Sequence, residues 1–409
     1  MLRNRSLAAL LVAEIVSTTG TTMTFLALPW FVLETTGSAT RMSVVLAAEL
    51  VPIALFGIPS GALVGRLGAR RTMLLGDALR APLIALVPAL HWSGHLSFGL
   101  LLAIVFALGL FSAPYFASQR TIVPELFGDD ETVVAKASAL FGGATQLTIV
   151  FGPALGGVCV SWFGAPGVLL LDGASYLVAF ALVALLVRGG RPVPQTEETR
   201  GMLAGVRYLA RDPVLGPLTL TVIILDMAGA AIAVAIPLLA FVRYDESAHV
   251  GGWLFTAFGI GAVGGSVLVM KLLERFRPLR LASAGIVLAT LPLWLLVVSA
   301  PWPLVALALF ACGVFVPFVN APAMGLITTR PPAALRAKVM TCVITASALG
   351  GPLGRLAVGP VYEWAGLGAM FAAIAGVMSV GALVFVAVAL RVEPGDEPVV
   401  AAGVPAATP

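Results

Sequence analysis

Twelve apolar blocks, each long enough to cross a bilayer, constrain this chain more than anything else in it. They run over residues 7–33, 43–64, 72–91, 97–118, 137–160, 166–187, 215–241, 251–272, 280–299, 303–327, 338–362 and 367–390. A helix needs about 20 predominantly apolar residues to span the hydrocarbon core. Lipid offers no partner to backbone N–H and C=O groups, so each block must satisfy its own as a helix. A transmembrane barrel would instead alternate apolar and polar residues in segments of about 10, a pattern not found here. Only 11% of the 409 residues are charged, against about 25% in soluble domains. That is too little charge to clothe a water-facing surface of this size. The expected fold class is an all-α polytopic membrane protein of twelve transmembrane helices.

Short turns such as His91–His95 and Ala300–Pro303 separate most blocks. The exception is the polar stretch from Arg188 to Pro213. It divides the chain into a six-helix bundle over 1–187, a linker over 188–213, a second six-helix bundle over 214–391 and a tail over 392–409. The tail is rich in Ala, Pro, Val and Gly and reads as disordered. The amphipathic stretch Met202 to Leu209 is expected to lie along the membrane surface. The first block is too long for a cleaved signal segment.

Orientation follows from the 24 lysines and arginines. With the N-terminus inside, only Arg41 and Arg243 fall in outer loops, Arg80 and Arg355 fall within helices, and the others lie on the inner side. Both termini are therefore expected in the cytoplasm of a plasma-membrane protein. The sequence pI of about 9.2 reports this topology, and no nucleic-acid partner is expected. Lys136, Lys271 and Lys338 are the only lysines, an arginine bias that fits a GC-rich bacterial source. Cys159, Cys312 and Cys342 all lie in apolar blocks without metal-ligand spacing. No phosphate-binding loop and no His/Glu cluster appears. An enzyme, an ATP-driven pump and a metal site are thus not expected. The expected surroundings are lipid and a small-molecule substrate, with no cofactor and a monomeric chain.

The two halves repeat with an offset of roughly 202 residues. Ala135-Lys136 falls on Ala337-Lys338, Gly152 on Gly354, Gly157 on Gly359, Trp162 on Trp364 and Gly164 on Gly366. A slightly different offset brings Pro114 onto Pro317. Each half holds an even number of helices, so the repeats are parallel and related by an axis along the membrane normal.

Several motifs carry a family resemblance. The segment Gly61-Ala62-Leu63-Val64-Gly65-Arg66-Leu67-Gly68-Ala69-Arg70-Arg71, between the second and third blocks, resembles the G-x-L-x-D-R-x-G-R-R/K loop of the major facilitator superfamily. It departs where the motif aspartate is Gly65, although Asp77 lies nearby. In the fifth block, Thr148 followed by Gly152-Pro153-Ala154-Leu155-Gly156-Gly157 resembles the antiporter motif G-x-x-x-G-P-x-x-G-G of the same superfamily. Gln119-Arg120-Thr121-Ile122-Val123-Pro124-Glu125-Leu126, with Gly164-Ala165 and Leu170-Leu171-Asp172, is similar to the branch holding macrolide-efflux-like and enterobactin-exporter-like proteins. The resemblance implies two pseudo-symmetric bundles and alternating access. It also implies a latching role at the inner face for Gly61, Arg66, Gly68, Arg70 and Arg71. Block four has no arginine, so coupling through the R-x-x-Q-G arginine of proton-driven drug exporters is not carried over.

Ionisable groups within a bilayer are costly and are candidates for function. Glu14 shares one helical face with Ser17, Thr18 and Thr21. That face either lines a central cavity, with Glu14 holding a proton or a cation, or packs against a neighbouring helix. Asp226 lies roughly 13 Å from the inner end of its block, near the midplane where this class binds substrate; the alternative is an inter-helix hydrogen bond. Glu49 sits toward the outer mouth, roughly 10 Å from the level of Glu14, too far to pair with it. Asp77 and Arg80 are spaced for an intrahelical pair near the cytoplasmic side, supporting the neighbouring loop. Arg355 suits either an anionic substrate or a salt bridge. Gln146 and Asn320 suit helix-to-helix bonding rather than substrate contact.

The function these features imply is secondary active transport, with a proton gradient driving efflux of an amphipathic small molecule such as an antibiotic or siderophore. An importer or lipid flippase on the same fold, and a non-transporting membrane sensor, are the alternatives.

Overall fold

The computed structural model describes residues 5–127, 131–187, 202–212 and 214–391. Linker residues 188–201 and the expected disordered tail at 392–409 lie outside the described residues. The first bundle contains α1 (Arg5–Thr36), α2 (Ala39–Leu67), α3 (Ala69–Trp92), α4 (Phe98–Phe127) and α5 (Glu131–Leu186). After the short α6 (Met202–Arg211), the second contains α7 (Leu215–Arg243), α8 (Ala248–Leu273), α9 (Pro278–Thr290), α10 (Trp302–Thr329) and α11 (Ala333–Arg391). Among the described residues, ten helices are long and apolar enough to cross a membrane.

Two of those ten count twice. α5 has 56 residues and α11 has 59, each more than ~80 Å of helix at ~1.5 Å per residue and more than twice the ~30 Å hydrocarbon core. Each breaks and turns back at one glycine, Gly164 with φ +71° and Gly366 with φ +83°. A side chain at such a φ is strongly disfavoured, which is why glycine stands there. The two limbs of each make twelve spans in all, and these glycines are the pair matched by the internal repeat. α9 finishes as a 3-10 segment, Leu291–Val297, where Pro292 withholds an N–H from the α pattern.

The apolar packing has a definite polarity. The face that carries α6 and the start of α1 is here the linker face; the opposite one, with Gly164 and Gly366, is the far face. The largest core joins both bundles toward the far face and includes Trp30, Phe31, Met42, Leu239, Leu254 and Phe371. Trp30 of α1 meets Phe241 of α7 there with ring centroids 5.2 Å apart. Toward the linker face the core divides between the bundles, with a small third cluster of Val269, Leu281 and Phe318 in the second. One part, around Leu10, Ile122 and Val183, belongs to the first bundle. The other, around Leu215, Ile327 and Val339, belongs to the second.

α6 packs on the linker face, with Gly205 against Lys338 and Cys342 of α11. Asp212 follows it and secures the start of α7. Its Oδ1 accepts the Val214 and Leu215 amides at 2.9 Å each, and its Oδ2 accepts Arg330 Nε at 3.1 Å. Partial burial alone would push this carboxyl up, but the Leu215 and Val214 amides and Arg330 outweigh it and hold it below the usual carboxylate range. A depressed acid contributes stability above its unfolded value of about 4 and loses it as pH falls through the lower folded value. Asp212→Ala is expected to remove about 1 kcal/mol, as for a lost helix cap. The thermal midpoint of detergent-solubilised protein at pH 7 should drop, and the gap from the parent should close below about pH 4. A gap independent of pH would show that the charge is irrelevant.

Candidate transport site

A cavity of about 340 Å³ opens between the bundles, within the range of small-molecule sites. Its walls are apolar, with Phe25 from α1, Ile149 from α5, and Phe255 and Phe258 from α8. Three polar groups interrupt them: Asp226 on α7, Gln146 on α5 and Asn320 on α10. All three residues are exposed, and Ser347 hydrogen-bonds Asp226. Gln146 and Asn320, expected from sequence to hold helices together, face the cavity instead. Neutral polar side chains in a span are ambiguous until the cavity is located.

A second, smaller chamber of about 100 Å³ lies on the other side of Phe25, which lines both. Its polar lining includes Thr21, Thr24, Glu49, Asp172, Tyr176 and Arg355. Here Glu49 of α2 and Arg355 of α11 form an ion pair across the two bundles at 3.4 Å, and Arg355 also donates to the Leu46 carbonyl at 3.0 Å. Of the two roles open to Arg355 from sequence, the geometry supplies the salt bridge.

That pair belongs to a continuous far-face seal. Ser43 Oγ accepts the Gly359 amide at 2.8 Å, and Glu363 accepts from Ser38 Oγ and Thr40 Oγ1 at 2.8 and 2.6 Å. On the other side of the bundle interface, Gly157 of α5 lies against Ala248 and His249, and Gly252 of α8 against Pro153 and Ala154. A side chain at either glycine would collide with backbone, as small-residue packing in membranes requires. Farther toward the linker face the same helices part. Gly57 on α2 and Gly142 and Gly143 on α5 have nothing within 4 Å of where a side chain would begin. The protein is closed at the far face and open toward the linker face.

Glu14 lies elsewhere than the cavity wall that was one sequence expectation. Its side chain is buried inside the first bundle and accepts Thr18 Oγ1 at 2.9 Å, Gln119 Nε2 at 2.9 and 2.8 Å, and Thr145 Oγ1 at 3.2 Å. Only Thr21, farther along that face, reaches the small chamber, where it bonds Tyr176 at 2.9 Å. Asp77 and Arg80 do form the expected ion pair, at 2.7 Å. They do not support the α2–α3 loop. Both are buried, and the guanidinium lies between the rings of Tyr115 and Tyr176, 3.8 and 4.3 Å from their centroids. Sequence reasoning passed over Gln119, Tyr115, Tyr176 and Thr145. Of these, only Gln119 carried a signal, as the first residue of a motif already singled out.

The loop itself is held by other groups. Gly68 turns it at φ +81°. Glu125 on α4 accepts the Ala69 amide at 2.9 Å, placing a carboxylate at the start of α3, where the helix dipole favours it. Arg70 donates to the Val187 and Ala184 carbonyls at 2.6 and 2.8 Å. Arg66 and Arg71 are exposed, and Gly61 is half-buried. The helix-five motif serves two interfaces. Gly152 rests on Thr22 and Gly156 on Met23 of α1, while Pro153 and Gly157 meet α8. Among the described residues, no group of three or more His, Cys, Asp or Glu is placed to hold a metal ion.

Comparison with known proteins agrees with this architecture. Residues 1–402 match the family model described as transmembrane secretion effector, of the major facilitator type. The multidrug efflux pump Tap of Mycolicibacterium fortuitum is 27% identical over 390 residues, covering 90% of this chain and 92% of that one. The enterobactin exporter EntS of Escherichia coli O1:K1 / APEC is 28% identical over 291 residues, 68% of this chain and 65% of that one. Among solved structures, the nucleoside transporter NupG superposes with a TM-score of 0.76 at 12% identity, covering 95% of this chain and 99% of that one. A bacterial homologue of the lysosomal transporter Spinster, in an inward-facing conformation, superposes with a TM-score of 0.69 at 14% identity, covering 94% and 93%.

Proposed function

We propose that this chain, which belongs to the transmembrane secretion effector family of major facilitator transporters, exports an amphipathic small molecule in exchange for protons by alternating access. The observation that carries this reading is the cavity between the bundles, apolar but for Asp226, Gln146 and Asn320, and sealed on one side only. Relatives named as a multidrug efflux pump and an enterobactin exporter support the direction of transport.

The basic residues put the linker face in the cytoplasm, so the cavity loads from inside the cell. Apolar walls take up the body of the substrate, and Asp226 meets a positive or hydrogen-bonding end. Rocking of the bundles then breaks the far-face seal and forms a new one at the linker face, around the same site. Proton entry through the intramembrane carboxylates drives the cycle.

Inside-out vesicles loaded with the protein should accumulate ethidium when a proton gradient is imposed and lose the accumulation when it is collapsed. Asp226→Asn removes the cavity's carboxylate and should lower ethidium uptake about tenfold, equivalent to ~1.4 kcal/mol. It should leave the folded yield unchanged, because the residue is exposed. Uptake that ignores both the gradient and the substitution would rule out this scheme.

A further inference from the structure

Proton and substrate need not share one carboxylate, and here the buried acids lie outside the cavity. Resting on the proton-exchange reading above, we infer that the proton is carried by Asp77, at the ion pair with Arg80 inside the first bundle, and not by Asp226. Three carboxylates and one guanidinium are sealed in that bundle: Glu14 is 1% exposed, Asp77 0%, Asp172 1% and Arg80 2%. All three acids feel Arg80 as their cation. Fully ionised, the group carries two uncompensated negative charges, which a low-dielectric interior resists. Taking up protons removes them.

Hydrogen bonding singles out which acid does so. Glu14 accepts from three side chains across both oxygens. Asp172 accepts Thr24 Oγ1 at 2.7 Å on one oxygen, and its other oxygen has Ser175 Oγ at 3.3 Å, whose single proton goes at 2.7 Å to the Asp172 carbonyl. Each of these two acids thus has polar side-chain contacts at both oxygens. Asp77 has Arg80 on Oδ1, while its Oδ2 is buried with no partner. An oxygen left bare in this way is where a proton can be added without first breaking a bond. With Asp77 neutral, the Arg80 charge remains to balance Glu14 or Asp172.

The surroundings also supply a route. Tyr176 covers one face of Arg80 and, with Asp172, lines the small chamber closed off by Glu49 and Arg355. When the far-face seal opens, that chamber connects the cluster to the outer solution. The charged or titratable groups facing Asp77 are Glu14 on α1, Arg80 on its own helix, Tyr115 on α4 and Tyr176 on α5, while Asp172 on α5 faces Arg80. Glu49 and Arg355 stand at the mouth. A proton entering there adds to Oδ2 as an O–H group and leaves to the linker side after the bundles rock back.

The test compares two modes of transport in inside-out vesicles, with ethidium as the probe. Asp77→Asn should lower gradient-driven uptake at least about tenfold while gradient-free exchange of internal for external ethidium stays within about twofold. Asp77→Glu should restore coupling. If wild-type vesicles show no gradient-driven uptake, the transport reading fails and this assignment with it. If the wild type is coupled and Asp77→Asn remains equally coupled, only the assignment to Asp77 is overturned. Should Asp77→Asn not fold, dicyclohexylcarbodiimide labelling of the native protein decides, since this reagent modifies protonated carboxyls in apolar surroundings. Peptide mapping should find the label on Asp77, and label confined to Asp226 or Glu14 would overturn the inference.

Discussion

Arg80→Leu is expected to destabilise the protein by about 3–5 kcal/mol, the usual cost of stranding one member of a buried ion pair. The effect is large because Arg80 is the counter-charge for three sealed acids and fills the space between Tyr115 and Tyr176. The two ring contacts add cation–π attraction, about 2 kcal/mol where desolvated. The thermal midpoint of detergent-solubilised protein should fall steeply. The double variant Asp77→Leu with Arg80→Leu should recover much of that loss, because a buried pair replaced by apolar groups is often neutral in stability. It should not recover proton-driven transport. A single variant as stable as the parent would mean that the cluster is hydrated and the charge count irrelevant.

Locking the far face should stop transport altogether. Thr40 of α2 meets Glu363 of α11 at 2.6 Å in that seal, so a short reducible bis-thiol reagent can join Thr40→Cys to Glu363→Cys in a background where Cys159, Cys312 and Cys342 are serine. Cross-linking should bring ethidium uptake to background, and a reductant should restore it. Binding from the linker side should persist in the cross-linked protein, because the cavity opens that way. Alternating access requires these helices to separate in every cycle. Uptake that continues with the link fully formed would place the moving seam elsewhere, and α5 with α8 on the other side would be the next to cross-link.

Much of this molecule is legible in its sequence. Helix number follows from block length, since lipid leaves a spanning segment no structure but a self-satisfied helix. The matched glycines Gly164 and Gly366 mark equivalent turns because only glycine takes their backbone conformation readily. The Asp77–Arg80 pair follows from i, i+3 spacing on a single helix. All of these depend on interactions local to one segment.

Which face each helix turns inward depends on its neighbours. Glu14 was legible as a polar residue in a span, but its partners Gln119 and Thr145 come from α4 and α5. Packing of those helices withdraws it from the cavity. Gln146 and Asn320 look like helix glue in one dimension and line the cavity in three. Glu49 and Arg355 are some three hundred positions apart and meet only because α2 crosses α11 at the far face. The sequence by itself determined twelve spans, their pairing into two repeats and the few costly charges within them. The tertiary structure alone decided which charges were sealed together and which faced the cavity. Burial of a charge depends on what packs around it, and that is a property of several helices at once.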